Sequence, residues 1–112
     1  MKDERIYLSH ILIAIDRIEA YIRGGRKDFF RNTMIQDAVI RNLEIVGEAT
    51  RHLTPRITGH YPGVPWRKIT ALRNVLIHEY FGVDLEIVWR VVQKRLPALR
   101  RSIETILSRS AH

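Results

Sequence analysis

Apolar side chains recur every three or four residues through the first part of the chain, from residue 3 to about residue 23. The repeat consists of Tyr7, Ile11, Ala14, Ile18 and Tyr21, and it is broadened by Leu8, Leu12, Ile15 and Ile22. This spacing predicts an amphipathic helix with a wide buried face. The Gly24-Gly25 pair predicts its end.

A second helix is predicted from Thr33 to about Leu53, because apolar residues again follow the helical period. Thr33 and Gln36 have the spacing of a capping box, which favours a start at Thr33. Residues 26–32 before it are interpreted as a charged connector. Residues 54–65 after it contain several prolines and glycines, which predict a loop.

Two further helices are predicted, over roughly 65–80 and roughly 85–108. Pro65 suits the first position of the third helix, and Asp84 is a good N-cap for the last one. Pro97 lies inside the last helix and predicts a kink, because it has no N–H and crowds the carbonyl of Gln93. No stretch of the sequence favours a strand.

The pattern therefore predicts one all-α domain over 1–112, an antiparallel bundle of four or five helices with a kinked last helix. The broad apolar stripes of the first two helices suggest that the bundle pairs as a two-fold homodimer.

Composition narrows the chemistry. The 112 residues include no cysteine, which excludes disulfides, thiolate metal sites and a cysteine nucleophile. The five histidines share no metal-ligand spacing, so neither a metal site nor a cofactor is predicted. The charged start of the chain and the lack of a long apolar run predict a cytoplasmic protein without a signal peptide or membrane segment.

The net charge of +7 is confined to the second half of the chain. Residues 1–50 hold eight basic and eight acidic side chains, whereas residues 51–112 hold eleven basic and four acidic ones. A localised positive charge favours a polyanionic partner such as nucleic acid. A role in solubility alone is the simpler alternative.

A cluster of polar residues, Arg73-Asn74-Val75-Leu76-Ile77-His78-Glu79-Tyr80, ends the third predicted helix. Histidine can exchange a proton near neutral pH, and arginine can hold a phosphate, so Arg73 and His78 are candidates for metal-free RNA cleavage. A histidine at a helix C-terminus can also merely interact with the helix dipole. On an ideal helix Arg73 and His78 lie about 140° apart, so they converge only if the helix distorts or a second subunit completes the site.

The motif Arg73-x4-His78-x-Tyr80 resembles that of the HepT-like toxins of the HEPN superfamily. The resemblance extends over nearly the whole chain. It includes residues 36–49, the loop at 61–69, Val88-Trp89 and Leu96-Pro97.

The resemblance implies a helical dimer in which two motifs face one groove. It implies a metal-independent endoribonuclease, acting on RNA and not on DNA, whose product ends in a 2′,3′-cyclic phosphate. His78 would be the acid–base residue, Arg73 would stabilise the phosphate, and Asn74 would orient it.

The resemblance also implies a partner antitoxin, a minimal nucleotidyltransferase that transfers AMP from ATP to Tyr80. The basic second half would then form an RNA track. Its candidate phosphate contacts are Arg67, Lys68, Arg90, Lys94 and Arg95. A second interpretation stays open, a non-catalytic module that binds a nucleotide or RNA and tethers a nucleotidyltransferase.

Overall fold

A computed structural model describes residues 3–77 and 84–110 of the chain, with the backbone alone described for residues 73–77 and 110. Within these residues all regular structure is helical, as the sequence predicts. The helices are α1 (Arg5–Tyr21), α2 (Gly25–Arg31), α3 (Thr33–Arg51), α4 (Pro55–Thr58), α5 (Trp66–Ile77), α6 (Leu85–Arg90) and α7 (Leu96–Ser110). A π-helical turn, Val91–Arg95, joins α6 to α7.

The core lies where α1, α3 and α7 meet, and each contributes one apolar face. Its fully buried side chains include Leu8, Ile11, Ile15 and Ile18 of α1, Val39, Leu43 and Val46 of α3, and Ile103 of α7. The helical period in the sequence therefore locates most of the core correctly, but Tyr21, predicted on the buried face of the first helix, is exposed in the last turn of α1. Among the described residues, no helix is long and apolar enough to cross a membrane.

The α2 helix replaces the predicted charged connector. Gly25 has a φ of +86°, a left-handed conformation that glycine adopts without strain, and it turns the chain from α1 into α2. The side chain of Phe29 in α2 is fully buried, whereas those of Arg26, Lys27 and Asp28 are exposed. The burial of a single large ring is thus the reason why this short segment packs as a helix.

The predicted capping box at the start of α3 is wrong by one residue. Asn32 is the N-cap, and its Oδ1 accepts hydrogen bonds from the backbone N–H groups of Met34 at 2.9 Å and Ile35 at 3.3 Å. The side chain of Gln36 instead donates to the carbonyl of Phe29 at 2.9 Å. Asparagine competes well with threonine as a cap, which accounts for the shift.

The last helical stretch departs from α-helical geometry next to Pro97, as predicted. The N–H of Leu96 donates to the carbonyl of Val91, five residues earlier, which is the bond of a π turn. The wider turn accommodates a proline that cannot donate to Gln93 and would crowd its carbonyl. Proline thus changes the register of one turn while the helix continues to Ser110.

Candidate functional site

The α5 helix supports the first half of the predicted motif. Arg73 and Asn74 lie in its last two turns, whereas His78 and Tyr80 lie outside the described residues. Arg73 follows the buried Ile69 by four residues, so both share one face of the helix. The motif therefore begins on a helix whose register is fixed by packing against α3.

The N-terminal end of α5 is held by Trp66. Its indole N–H donates to the carbonyl of Tyr61 at 2.9 Å, and the ring packs against the core as predicted. Arg109 of α7 lies over the ring of Tyr61, 6.0 Å from its centroid. These contacts tie the loop before α5 to the end of the chain.

The α6 helix begins directly after the second half of the motif and is anchored independently. The carboxylate of Asp84 accepts from the N–H groups of Glu86 at 3.0 Å and Ile87 at 3.4 Å, which confirms the predicted N-cap. Glu86 pairs with Arg26 of α2. Trp89 packs on Phe29, with 5.3 Å between ring centroids, which agrees with a core role. Both chain ends that flank residues 78–83 are thus attached to the bundle.

The five predicted phosphate contacts are all exposed, and none pairs with a carboxylate among the described residues. Arg67 lines a hollow of about 530 Å³ together with Arg51, Leu53, Trp66 and Thr70. Arg67 and Asn74 are seven residues apart, which on an α-helix leaves them within about 20° of one face. This hollow therefore lies on the side of α5 that carries Asn74.

Lys68, Lys94 and Arg95 border a different surface, a groove of about 520 Å³ between α5 and the last helical stretch. Lys68 is about 120° around α5 from Asn74, because six residues separate them. Arg90 borders neither the hollow nor the groove. The predicted RNA track thus includes Arg67 in the hollow, three cations along the groove, and Arg90, which borders neither.

Sequence reasoning missed Arg51, which adds a second cation to the hollow of Arg67. Its guanidinium also contacts a carboxylate oxygen of Glu48 at 3.0 Å, one turn back on α3. An arginine at the end of a helix is a common surface charge, so only the packing of α3 against α5 reveals its position.

A cluster of titratable rings between α1 and α3 was also missed. Tyr7 stacks on His52 with 4.9 Å between centroids and meets His10 edge to face. His52 approaches Glu48 at 3.4 Å. The negative charges of the nearby Glu44 and Glu48 would repel an RNA phosphate at this position. Within the described part of the chain, no three His, Asp or Glu side chains gather as metal ligands do.

Comparison with known proteins gives relatives along nearly the full chain. The sequence profile of the family described as "Ribonuclease HepT-like" matches residues 11–106. A Thermococcus cleftensis protein named "Probable ribonuclease HepT" is 37% identical over 106 residues, covering 94% of this chain and 96% of that protein.

A Methanocaldococcus jannaschii protein is 44% identical over 107 residues, and its name joins a gamma-glutamylcyclotransferase to a provisional RNase designation. The match covers 95% of this chain and 48% of that protein, so the chain spans about half of its length.

The fold is also found in a solved structure of a tri-AMPylated Shewanella oneidensis HEPN toxin in complex with an MNT antitoxin. Its TM-score is 0.72 at 26% identity, and the superposition covers 96% of this chain and 99% of that one. Because the profile spans almost all of the helical bundle, the chain belongs to the HepT-like family of the HEPN superfamily.

Proposed function

We propose that the chain is the toxin of a toxin–antitoxin pair and acts as a metal-independent endoribonuclease. The observation that carries this proposal is the complete Arg73-x4-His78-x-Tyr80 motif, which begins on α5, in a member of the HepT-like family. Relatives named as ribonucleases support the same reaction class.

The reaction follows from the side chains. His78 removes the proton of a ribose 2′-hydroxyl, whose oxygen then attacks the adjacent phosphorus. The bond to the 5′-oxygen breaks, and that oxygen receives a proton from an imidazolium. The products are a 2′,3′-cyclic phosphate and a free 5′-hydroxyl. Arg73 stabilises the negative charge that gathers on the phosphate, and Asn74 orients the phosphate.

Two protomers are proposed to share this site. Arg73 and His78 lie about 140° apart on an ideal helix, so a groove on a two-fold axis would supply both groups to one phosphate from different chains. Such a dimer would contain two sites, each with one Arg73 and one His78, and the His78 that takes the 2′-hydroxyl proton would donate a proton to the leaving 5′-oxygen.

The hollow of Arg67 and Arg51 is proposed as the nearest phosphate-binding surface. Arg67 is exposed, has no ion pair among the described residues, and lies on the Asn74 face of α5. Lys68, Lys94 and Arg95 border the groove between α5 and the last helical stretch, Arg90 borders neither surface, and all four stay predicted phosphate contacts.

An MNT-class nucleotidyltransferase is proposed as the antitoxin, because the Shewanella oneidensis neighbour is AMPylated and bound to one. The Tyr80 hydroxyl would attack the α-phosphorus of ATP and release pyrophosphate. The added phosphate and adenosine would block an RNA groove by charge and bulk.

The decisive experiment incubates total cellular RNA with unmodified protein and with His78→Ala, in the presence of EDTA. We expect cleavage with cyclic phosphate ends from the unmodified protein alone. Equal cleavage by both proteins would exclude His78 as the acid–base residue. No cleavage by a folded, unmodified protein would favour the non-catalytic binding module instead.

A further inference from the structure

The groove between α5 and the last helical stretch adjoins the hollow of Arg67 at Ala71, which lines both, but the groove has a different chemistry. Its described lining consists of Gly63, Val64, Pro65, Lys68, Ile69, Ala71, Leu72, Val91, Lys94, Arg95, Leu96, Ala98, Leu99 and Ser102. Most of these side chains are aliphatic, three are cationic, and none is acidic or aromatic.

The groove lies between α5, which packs along α3, and the last helical stretch, and the buried Ile69 of α5 forms part of its floor. Ala71 and Ala98 stand on facing walls and are too small to close the gap. Leu72 remains half-buried, and Ala98 is exposed. The bundle therefore presents aliphatic side chains in a cleft of about 520 Å³.

Cations stand on both rims of this cleft. Lys68 lies on the α5 side, and Lys94 and Arg95 lie on the π turn opposite. All three are exposed and form no ion pair with a described residue. The groove thus combines an apolar floor with positive charge on two sides.

An amphipathic helix fits this combination better than RNA does. Single-stranded RNA gains binding energy by stacking its bases on aromatic rings or guanidinium planes, whereas the described floor of this groove is aliphatic and contains no ring. An amphipathic helix gains by burying aliphatic side chains at positions i, i+3, i+4 and i+7 in such a groove.

We propose that this groove binds an amphipathic helix of a partner protein, with aliphatic side chains on its inner face and Asp or Glu along its flanks. The inference does not depend on RNA cleavage, because it rests only on the aliphatic floor and the cationic rims of the groove. If the chain is a ribonuclease toxin, a helix bound here would also cover three of the five predicted phosphate contacts.

The test uses a fluorescent helical peptide of about 18 residues, five turns long, with Leu at the inner positions and Glu on both flanks. A matched peptide carries Lys in place of Glu. We expect the acidic peptide to bind the full chain saturably, and the basic peptide to bind at least about tenfold more weakly. Absence of saturable binding by the acidic peptide would overturn the proposal.

Three variants locate the binding. Ala98→Glu places a carboxylate in the groove, and a Lys94→Glu/Arg95→Glu double variant reverses one rim. Both should weaken peptide binding by about tenfold or more. Arg101→Glu is the matched control, because Arg101 is an exposed cation of α7 outside the groove. Its affinity should stay within about twofold of the original chain.

Two other outcomes would also reject the proposal. An RNA oligonucleotide that loses affinity on Ala98→Glu, while the acidic peptide does not bind, would identify a nucleic-acid site. Self-association of the original chain that Ala98→Glu abolishes would identify a second copy as the occupant. Circular dichroism and thermal unfolding confirm that each variant is folded. Because binding is measured without cleavage, failure of the ribonuclease proposal would leave this result interpretable.

Discussion

Trp89 of α6 packs on Phe29 of α2, with 5.3 Å between their ring centroids. Phe30 joins them edge to face, 5.2 Å from Phe29. This aromatic cluster links a short helix near the start of the chain to the helix that follows the motif. It therefore fixes one end of the segment that carries His78 and Tyr80.

Loss of the Phe29 ring should destabilise the whole domain. The side chain is fully buried, so Phe29→Ala removes apolar contacts and leaves a cavity. We expect the free energy of unfolding to fall by about 3–5 kcal/mol, measured by urea denaturation. Met34→Ala is the control, because Met34 is 79% exposed, and its effect should stay within about 0.5 kcal/mol. Equal effects of the two variants would show that α2 does not depend on Phe29.

A second prediction concerns the clamp between α1 and α7. Arg100 donates to both Asp16 and Glu19, and the hydrogen bond to Asp16, followed by Glu19, raises the pKa of its guanidinium. The carboxylates are half-exposed or more, so Arg100→Ala should cost only about 1 kcal/mol of unfolding free energy. Added salt should reduce this difference.

The pH dependence of the clamp has a definite sign. A raised pKa in the folded state stabilises the protein at every pH below the ordinary pKa of arginine, and the contribution is lost only above it. The decrease in unfolding free energy caused by Arg100→Ala should therefore not change through titration of Arg100 between about pH 6 and about pH 9. Arg5→Ala is the control, because Arg5 pairs with Asp3 only two residues away, both side chains are about half-exposed, and the free energy of unfolding should stay nearly unchanged. If the two variants lowered the free energy of unfolding equally, the pairing of Arg100 with α1 would have no special stabilising role.

The long helices could be predicted from the sequence because each repeats its apolar period over several turns. The α2 helix could not, since seven residues are too few to show a period and Phe29 is buried by Trp89, sixty residues later. The cap of α3 was misplaced because Asn32 and Thr33 are adjacent and both are good caps.

For the candidate site, the motif residues could be predicted from the sequence, but the surfaces that the cations form could not. The motif is a local spacing, so the sequence alone identifies Arg73, Asn74, His78 and Tyr80 as candidates. The grouping of the cations depends on how α5 packs between α3 and α7. Nothing in the sequence indicates that Lys68 and Lys94 border one groove while Arg67 faces another hollow.

A shared catalytic site can be tested by mixing inactive variants. If each site takes Arg73 from one protomer and His78 from the other, Arg73→Ala and His78→Ala should complement each other. Half of randomly mixed dimers contain both variants, and each has one intact site of two, so about one quarter of the original cleavage rate should return. Complete inactivity of a mixture that forms mixed dimers would instead indicate a site within one protomer.

Arg67 should contribute one phosphate contact to RNA binding. For a single-stranded oligonucleotide, removing one contact lowers the slope of log affinity against log salt by about 0.7. We expect this change for Arg67→Ala, measured by fluorescence anisotropy at several salt concentrations with a non-cleavable RNA. Arg101→Ala provides the control, because Arg101 lies outside both the hollow and the groove. Identical slopes for the two variants would remove Arg67 from the interface.

Tyr80 should be the residue that receives AMP. Incubation with an MNT-class nucleotidyltransferase that binds the chain, together with ATP and Mg²⁺, should increase the intact mass by one or more AMP groups. Tyr80→Phe removes the only oxygen of this side chain that can attack ATP, so the adduct should disappear. Tyr21→Phe should keep it, because Tyr21 is an exposed tyrosine on α1 outside the motif. Cleavage of RNA should fall in proportion to the modified fraction, since the added phosphate repels the RNA backbone. An adduct that persists in Tyr80→Phe would place the modification elsewhere and separate it from control of the motif.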